Sequence, residues 1–489
     1  MVRPFEEPSF ELDWTRSRAM APNERRESSV ESPRSELMPA PRSEPANIPR
    51  FSCRLWPNAS GSPVAIALVA LAVRIAYIVI AHTYQLKNLD GNFNFGFEMG
   101  RIGCALALGQ GFSNPFHGVT GPTAWEPPLY PLLIAGVFRI FGIYTPASAL
   151  VLLSVNSLFA ALTTLPIFSI AKRCFGEMVA VWSSWAWALL PPVIFWSTRW
   201  IWETSLAAFL LALLLLLGLT LEAGEGLLLW VEFGLVWGIV ALTNAALLSL
   251  LPVSGGWAWY RRAKQGKRSR TGVVAASAVF LACLAPWLVR NYRTFGRFLW
   301  IRSNFGAELR LGNGPGADGR WMDWLHPTKD IEQLQLYRRL GEVGYVEERK
   351  QEALAFIRED YARFAGLSLR RFAYFWGGPP RARESASALF GNFLYLGSSL
   401  LAWFGLVEAL RKHRPGAWLF FWVVVIYPLV YYVVFFLPRY RHPIEPELLI
   451  LMVYAVYQAV SGRRLKPEKP REDRQTVEAR NSGYRDSHD

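Results

Sequence analysis

The sequence predicts an all-α, polytopic membrane helix bundle of about ten spans. Three observations carry that expectation. Of 489 residues, 52% are hydrophobic, 14% aromatic and only 18% charged, with 21 Trp, which is a membrane composition. Several windows exceed the roughly 18 apolar residues that mark a helix able to cross a bilayer. The Lys and Arg residues behind a formal net charge of +14 gather in short segments between apolar runs instead of along one face. That pattern suits topology signals and speaks against a nucleic-acid partner.

Residues 1–60 mix Arg, Glu, Ser and Pro with few apolar residues and cannot bury enough surface to offset ordering entropy, so a disordered cytoplasmic tail is expected there. The membrane domain runs over 61–462, and 463–489 form a second cytoplasmic tail. The first apolar run ends at His82 without a small-x-small cleavage pattern and reads as a retained helix. The expected spans are 63–82, 148–170, 177–197, 204–221, 227–242, 244–260, 271–290, 387–410, 416–437 and 442–460. With residue 1 inside, Lys172-Arg173, Arg261 to Arg270, Arg411 to Arg414 and Arg463 to Lys466 all fall on the inner side, as the positive-inside rule asks. This parity requires 127–143 not to cross; its Pro cluster and Arg139 suit a helix lying at the interface. Glu222 to Gly226, placed inside, carries no basic residue and sits poorly with the rule.

Two loops then face outward. The first, 83–147, is punctuated by Gly and Pro and contains a predicted helix opening at Phe97-Glu98-Met99-Gly100-Arg101. The second, 291–366, begins rich in Gly and Asn. It ends in an amphipathic helix with Ala353, Phe356, Ile357, Tyr361, Phe364 and Leu367 on one face. The four cysteines, Cys53, Cys104, Cys174 and Cys283, are far apart and fall on different sides of the membrane, so neither a disulfide nor a zinc site is expected.

Glu98 is flanked by Phe93, Phe95, Phe97 and Met99 at headgroup level. Low-dielectric surroundings raise a carboxylate toward the working range of a general base, while Arg101 pulls the other way; a surface pair with Arg101 is the plainer alternative. Asp90 competes for the role, although Asp-Gly commonly marks a turn. Glu126 precedes Pro127-Pro128, which fix its backbone at the start of the next helix. Glu203, after Trp200-Ile201-Trp202, belongs to a short outer loop that must lie beside the first loop. A plain helix-start acid would look the same. Pro438-Arg439-Tyr440-Arg441-His442-Pro443 sets two arginines between apolar helices, suited to holding phosphate through paired charge-assisted hydrogen bonds or to snorkelling. Arg74, inside the first span, is either functional or a snorkelling side chain.

One span, an outer loop with an acid in a helix before Gly109-x-Gly111-Phe112, then Pro127-Pro128-Leu129-Tyr130-Pro131, a Phe141-Gly142 turn and a span ending Lys172-Arg173-x-Phe175-Gly176: this order resembles the GT-C membrane glycosyltransferases. It is most similar to glycosyltransferase family 39, which includes protein O-mannosyltransferases and the lipid A aminoarabinose transferase. The turn Arg439-Tyr440-Arg441-x-Pro443 before the last helix fits too, and the likeness covers about 63–460. The family usually carries an Asp, often Asp-Glu, in the first loop. Here that position falls near Asn94 or Phe95, and Glu98 is the nearest acid; the family's second acid would fall at Glu203.

The resemblance implies a GT-C fold and inverting transfer of a sugar from a polyprenyl phosphate to a hydroxyl of a lipid, glycan or protein. The reaction would occur on the outer side of the inner membrane, without metal or other cofactor. Glu98 or Asp90 would be the base, Arg101, Arg439 and Arg441 would hold the donor phosphate, and Glu126, Tyr130 and Glu203 would bind acceptor or sugar. A transporter or flippase of a lipid-linked glycan is the rival, and would place polar residues at mid-membrane on several helices.

Overall fold

The computed structural model describes residues 61–86, 93–224, 226–267, 269–378 and 386–464. The two expected tails fall almost wholly outside these, as do Asp90 and Cys53. Among the described residues the chain is helical, and the extended pairing comprises two isolated bridges, Ser113 with Pro122 and Arg320 with Phe436. The helices are α1 (Pro63–Ile80), α2 (Phe97–Ala107), α3 (Leu129–Phe141), α4 (Pro146–Leu162), α5 (Thr164–Phe175), α6 (Glu177–Leu189), α7 (Pro191–Arg199), α8 (Thr204–Ala223) and α9 (Leu227–Ala241). They continue with α10 (Leu251–Lys264), α11 (Arg270–Phe295), α12 (Phe305–Gly312), α13 (Ile331–Glu359), α14 (Tyr361–Gly377), α15 (Ala386–Arg411), α16 (Ala417–Ile426), α17 (Leu429–Val433) and α18 (Glu445–Arg464).

Every expected span is occupied by helix, but not every one holds a helix that is by itself long and apolar enough to cross a membrane. Six are long and apolar enough to cross a membrane, or seven if the bent pair α6–α7 is one span. At 1.5 Å per residue, α9 with its 15 residues reaches roughly 22 Å, short of a hydrocarbon core of about 30 Å. The stretch 244–260 divides into a 3₁₀ turn, Ala245–Leu250, and α10. The stretch 416–437 breaks at Pro428 into α16 and α17. Helix α3, over the Pro-led segment of the first loop, has 13 residues and is too short to cross. The amphipathic helix expected at the end of the long loop is two helices, because Asp360 leaves helical geometry and caps α14 through the Arg363 N–H at 2.8 Å.

Breaks inside an apolar bundle free backbone carbonyls, and the sequence supplies donors for them. Pro191 and Pro192 have no N–H for the carbonyls of Trp187 and Ala188, and the helix bends there by 48°. Arg74 of α1 replaces both missing bonds, donating to Trp187 O at 3.0 Å and Ala188 O at 2.8 Å, with further bonds to Ala70 O at 2.9 Å and Ser197 Oγ at 3.2 Å. Arg74 is fully buried. Its guanidinium is the hydrogen-bond complement of a double-proline break and does not snorkel toward the helix end. Arg262 does the same for the end of α8, reaching Leu221 O at 2.8 Å and Gly224 O at 2.5 Å, while Arg261 pairs with Glu222. The segment without basic residues is thus served by those of α10. Arg371 of α14 bonds the carbonyls of Tyr432 and Val433 at 3.1 and 2.9 Å, where α17 ends. Cys104, Cys174 and Cys283 are free thiols.

The Arg74 clamp is testable through stability. Arg74→Met leaves two buried carbonyls without donors, at about 1–3 kcal/mol each. It is expected to lower the thermal unfolding midpoint of the purified protein, with Arg74→Lys recovering part of the loss. A midpoint unchanged in the Met variant would remove this role.

Candidate active site

The first and second loops meet over the ends of α8, α9 and α16–α17, and enclose a cavity of about 260 Å³. Its acidic, basic and imidazole side chains come from five separate segments, namely Glu98 of α2, Glu126, Glu203, Arg302 with Glu308 and His326 of the long loop, and Arg439, and Asn244, Tyr427, Tyr431 and Tyr440 add further polar groups. Val430, Val434, Phe435 and Leu437 give it an apolar side. Four of the residues singled out from sequence, Glu98, Glu126, Glu203 and Arg439, therefore share one cavity.

A buried carboxylate holds the loops together. Gly341 adopts φ 68°, ψ 170° within α13, a left-handed conformation that suits glycine, and the kink precedes Glu342. Glu342 accepts from Thr123 Oγ1, from Ala124 N at 2.7 Å, from Ser303 Oγ at 2.7 Å and from Tyr337 Oη at 2.9 Å. Ser303 N donates to Ala124 O at 2.9 Å. This staple sets Glu126 beside Arg302, whose Nη2 lies 3.2 Å from Glu126 Oε1 and whose Nε donates to Trp125 O at 3.0 Å. Arg302 also reaches Glu308 at 3.7 Å.

Glu98 is 5% exposed, and its Oε1 lies 3.3 Å from His326 Nε2. It does not pair with Arg101 on a wet face. His326 is itself 5% exposed, ringed edge-on by Phe116, Trp125 and Trp321. The Thr328 N–H donates to its Nδ1 at 3.2 Å, so a neutral ring carries its proton on Nε2, aimed at Glu98. Burial, with the charges of Lys329 and Arg439, pushes the His326 imidazole down to about 3 and keeps it neutral. Burial raises Glu98 to about 7 against the opposing pull of its backbone hydrogen bond, Arg439 and Arg101. Burial likewise raises Glu126 to about 8, with Arg302 opposing and Glu98, Glu203 and Glu308 assisting. A carboxylate of this kind can take a proton near neutral pH.

Arg439 lies flat on Trp202, its guanidinium carbon 3.5 Å from the ring centroid, a stacked cation–π arrangement. Trp202 is held from behind. Tyr130 Oη donates to Asn156 at 3.0 Å, and Asn156 Nδ2 donates to Trp200 O at 2.8 Å and Trp202 O at 3.3 Å. Ile201 N donates to Asn94 O at 2.7 Å, which sets the short outer loop beside the first loop. Glu203 Oε1 accepts from Asn244 at 3.3 Å, and its Oε2 is buried without a hydrogen bond among the described residues.

Three of the expected residues stand elsewhere. Tyr130 is buried behind the lining. Arg101 is half-buried on α2 and does not line the cavity. Arg441 does not accompany Arg439: its guanidinium is bound by Ser399 Oγ at 2.8 Å, Ser398 Oγ at 2.9 Å and Glu445 at 2.7 Å. The alternation of a 3₁₀ turn separates neighbours two apart, a spacing that sequence alone does not resolve. Arg302, Glu308 and His326 were not anticipated, since the long loop offers no periodicity from which to place them.

No family model and no curated protein matches the chain. Among solved structures it is similar to the Archaeoglobus fulgidus oligosaccharyltransferase in complex with Zn and sulfate, at 15% identity and TM-score 0.47, over 82% of this chain and 49% of that one. The chain thus spans about half the length of that protein. It is also similar to ArnT from Cupriavidus metallidurans bound to undecaprenyl phosphate, at 12% identity and TM-score 0.32, over 82% of this chain and 78% of that one.

The raised carboxyls make stability depend on pH with a definite sign. A carboxyl whose native affinity for protons exceeds its unfolded value of 4.5 stabilises the fold fully below that pH, and the contribution is lost as pH rises through about 7 for Glu98 and about 8 for Glu126. The unfolding midpoint is expected to fall between about pH 5 and 8, and Glu98→Gln and Glu126→Gln each to flatten part of the fall. Variants with the wild-type slope would contradict the shifts.

Proposed function

We propose that this chain is a GT-C-type membrane glycosyltransferase that moves a sugar from a polyprenyl phosphate to a hydroxyl acceptor on the outer side of the membrane. One observation carries the reading: one cavity joins a buried carboxylate poised near neutrality with an arginine laid on Trp202, beside an apolar wall. A base and a phosphate holder are what the reaction needs. Glu98 takes the proton of the acceptor hydroxyl, the acceptor oxygen attacks the anomeric carbon, and the bond from that carbon to the phosphate oxygen breaks. The phosphate leaves with the electron pair, and Arg439, with Arg302 nearby, stabilises its charge. Phosphate leaves readily, so the acid that glycosidases use is dispensable, and attack from one face inverts the centre. His326 orients Glu98 through Nε2–H. Glu126 and Glu203 bind acceptor or sugar hydroxyls, and Tyr130 supports them through Asn156. Val430, Val434, Phe435 and Leu437 offer a surface for the first isoprene units.

The test is transfer from a purified lipid-linked donor. Glu98→Gln keeps the shape and loses the base, so transfer should fall by roughly 10² to 10⁴ while folding and donor binding persist. Asp90→Asn should retain most activity. The wild-type kcat/KM for the donor should rise with pH through about 7, where Glu98 of the donor-free protein loses its proton. Arg439→Gln should weaken donor binding, with only partial rescue by Lys, which lacks the planar fork. Near-normal transfer by a folded Glu98→Gln enzyme would sink the assignment of the base, and no transfer by the wild type with any donor would favour the transporter.

The side of the membrane needs a separate measurement. Val119 is 81% exposed beside the cavity's loops, and Gln265 follows the basic end of α10. In a cysteine-free background, Val119→Cys should react with an impermeant thiol reagent in intact cells and Gln265→Cys should not. The opposite labelling would invert the topology.

A further inference from the structure

Helix α8 begins at the candidate active site with Thr204 and ends twenty residues later near Glu222, so its far end lies roughly 30 Å away. A second, larger cavity of about 1020 Å³ opens there. Arg173, Arg261, Lys264 and Arg414 line it, against one carboxylate, Glu222, which Arg261 already holds. Arg173, Lys264 and Arg414 have no acidic partner among the described residues; Lys264 lies 5.0 Å from the Tyr260 ring centroid, and Arg414 Nε is buried without a hydrogen bond. The turn carrying Arg414 is firmly placed. Gly416 has φ 71°, and a Cβ there would come within 2.9 Å of Leu219 and 3.2 Å of Cys174 Sγ. Three cations lining one cavity, Arg173 and Lys264 exposed and Arg414 half-buried, with its one carboxylate already taken by Arg261, favour an anion.

On an adjoining face of α10 lies an apolar groove of about 670 Å³ between α9, α10 and α11, where Phe233, Trp237, Val273 and Phe280 form the walls. Gly256 of α10 lines both. Adjacent glycines in a helix cost about 1 kcal/mol each against alanine, and close packing does not account for these: a Cβ on Gly255 or Gly256 would meet nothing within 4 Å. They leave the surface of α10 between charge and groove bare. A phosphate alone would use the cations but not the groove.

We propose that this pole binds one acidic phospholipid, with its phosphate among Arg173, Lys264 and Arg414 and an acyl chain passing Gly256 into the groove between α9, α10 and α11. The site is independent of the transfer reaction. A general basic belt would also attract acidic lipid, but without a fixed stoichiometry and without dependence on Gly256.

The purified full chain, delipidated in non-ionic detergent, is titrated with phosphatidylglycerol, with phosphatidylcholine of the same chains and with glycerol 3-phosphate, and bound lipid is counted by native mass spectrometry. One phosphatidylglycerol per chain should be retained, roughly tenfold or more tighter than phosphatidylcholine. Arg173→Gln with Arg414→Gln should abolish that preference. Gly256→Leu, which raises helix propensity and so keeps the fold, should weaken phosphatidylglycerol while leaving the charge in place. Arg439→Gln should leave the bound lipid unaffected. Equal retention of the two lipids, binding indifferent to both α10-pole variants, loss in Arg439→Gln instead, or glycerol 3-phosphate as tight as the lipid would each overturn the proposal.

Discussion

A helix that breaks in apolar surroundings leaves carbonyls that water cannot reach, and the bundle stands because arginine side chains reach them. Arg74 serves the double-proline break after α6, Arg262 the end of α8 and Arg371 the end of α17. Arg290 serves the first loop, donating to Thr123 O at 2.6 Å and Phe112 O at 2.7 Å. The guanidinium suits this task because several donors lie in one plane and can bond separate carbonyls. Two of the breaks lead to the cavity. The α6–α7 bend leads into Trp200 to Glu203, and the break at Pro428 separates Tyr427 from Tyr431, both cavity residues. A polar chamber in a helical bundle requires interrupted helices, and interrupted helices require these donors.

Charge in that chamber is unbalanced toward acid. Glu98, Glu126, Glu203 and Glu308 face Arg302 and Arg439, and four ionised carboxylates beside two guanidiniums would be unfavourable at low dielectric. Protons resolve the excess. Burial moves Glu98, Glu126 and Glu308 all upward, and Arg302, shared between Glu126 and Glu308, opposes both shifts. Neutral His326 contributes a directed donor without adding charge to be neutralised.

The helical, multi-pass character was legible because composition and apolar run length depend on local sequence alone. Which helices are long enough to cross was not, because run length does not reveal where Pro191-Pro192 or Pro428 interrupts a helix. Within the chamber, Glu98, Glu126, Glu203 and Arg439 could be singled out since each is a charge set among aromatics, prolines or apolar helices, where it is costly unless used. Arg302, Glu308 and His326 escaped notice because they join the cavity through Glu342, a contact between residues some 180 to 220 positions apart for Thr123 and Ala124 with the long loop. Arg74 looked functional for a sound reason, its burial, but the partner that explains it lies at Trp187 and Ala188. Arg441 looked equivalent to Arg439 because sequence gives spacing, not facing.

The two halves of the proposed reaction are coupled through Arg439. Its positive charge holds the proton affinity of Glu98 below what burial alone would produce, and also depresses His326. A donor phosphate seated on Arg439 would neutralise that field, so Glu98 would become more basic only once a leaving group is in place. With the chamber empty of donor the carboxylate is a weaker base and less able to activate a stray water; with donor bound it is stronger at the moment an acceptor needs it. Trp202 positions the Arg439 guanidinium through a ring face, whereas Arg302 is held by the carboxylates of Glu126 and Glu308. Arg439, stacked on Trp202 at the cavity, is the arginine placed to meet the phosphate in the proposed reaction, and Arg302 the one that holds Glu126 in place.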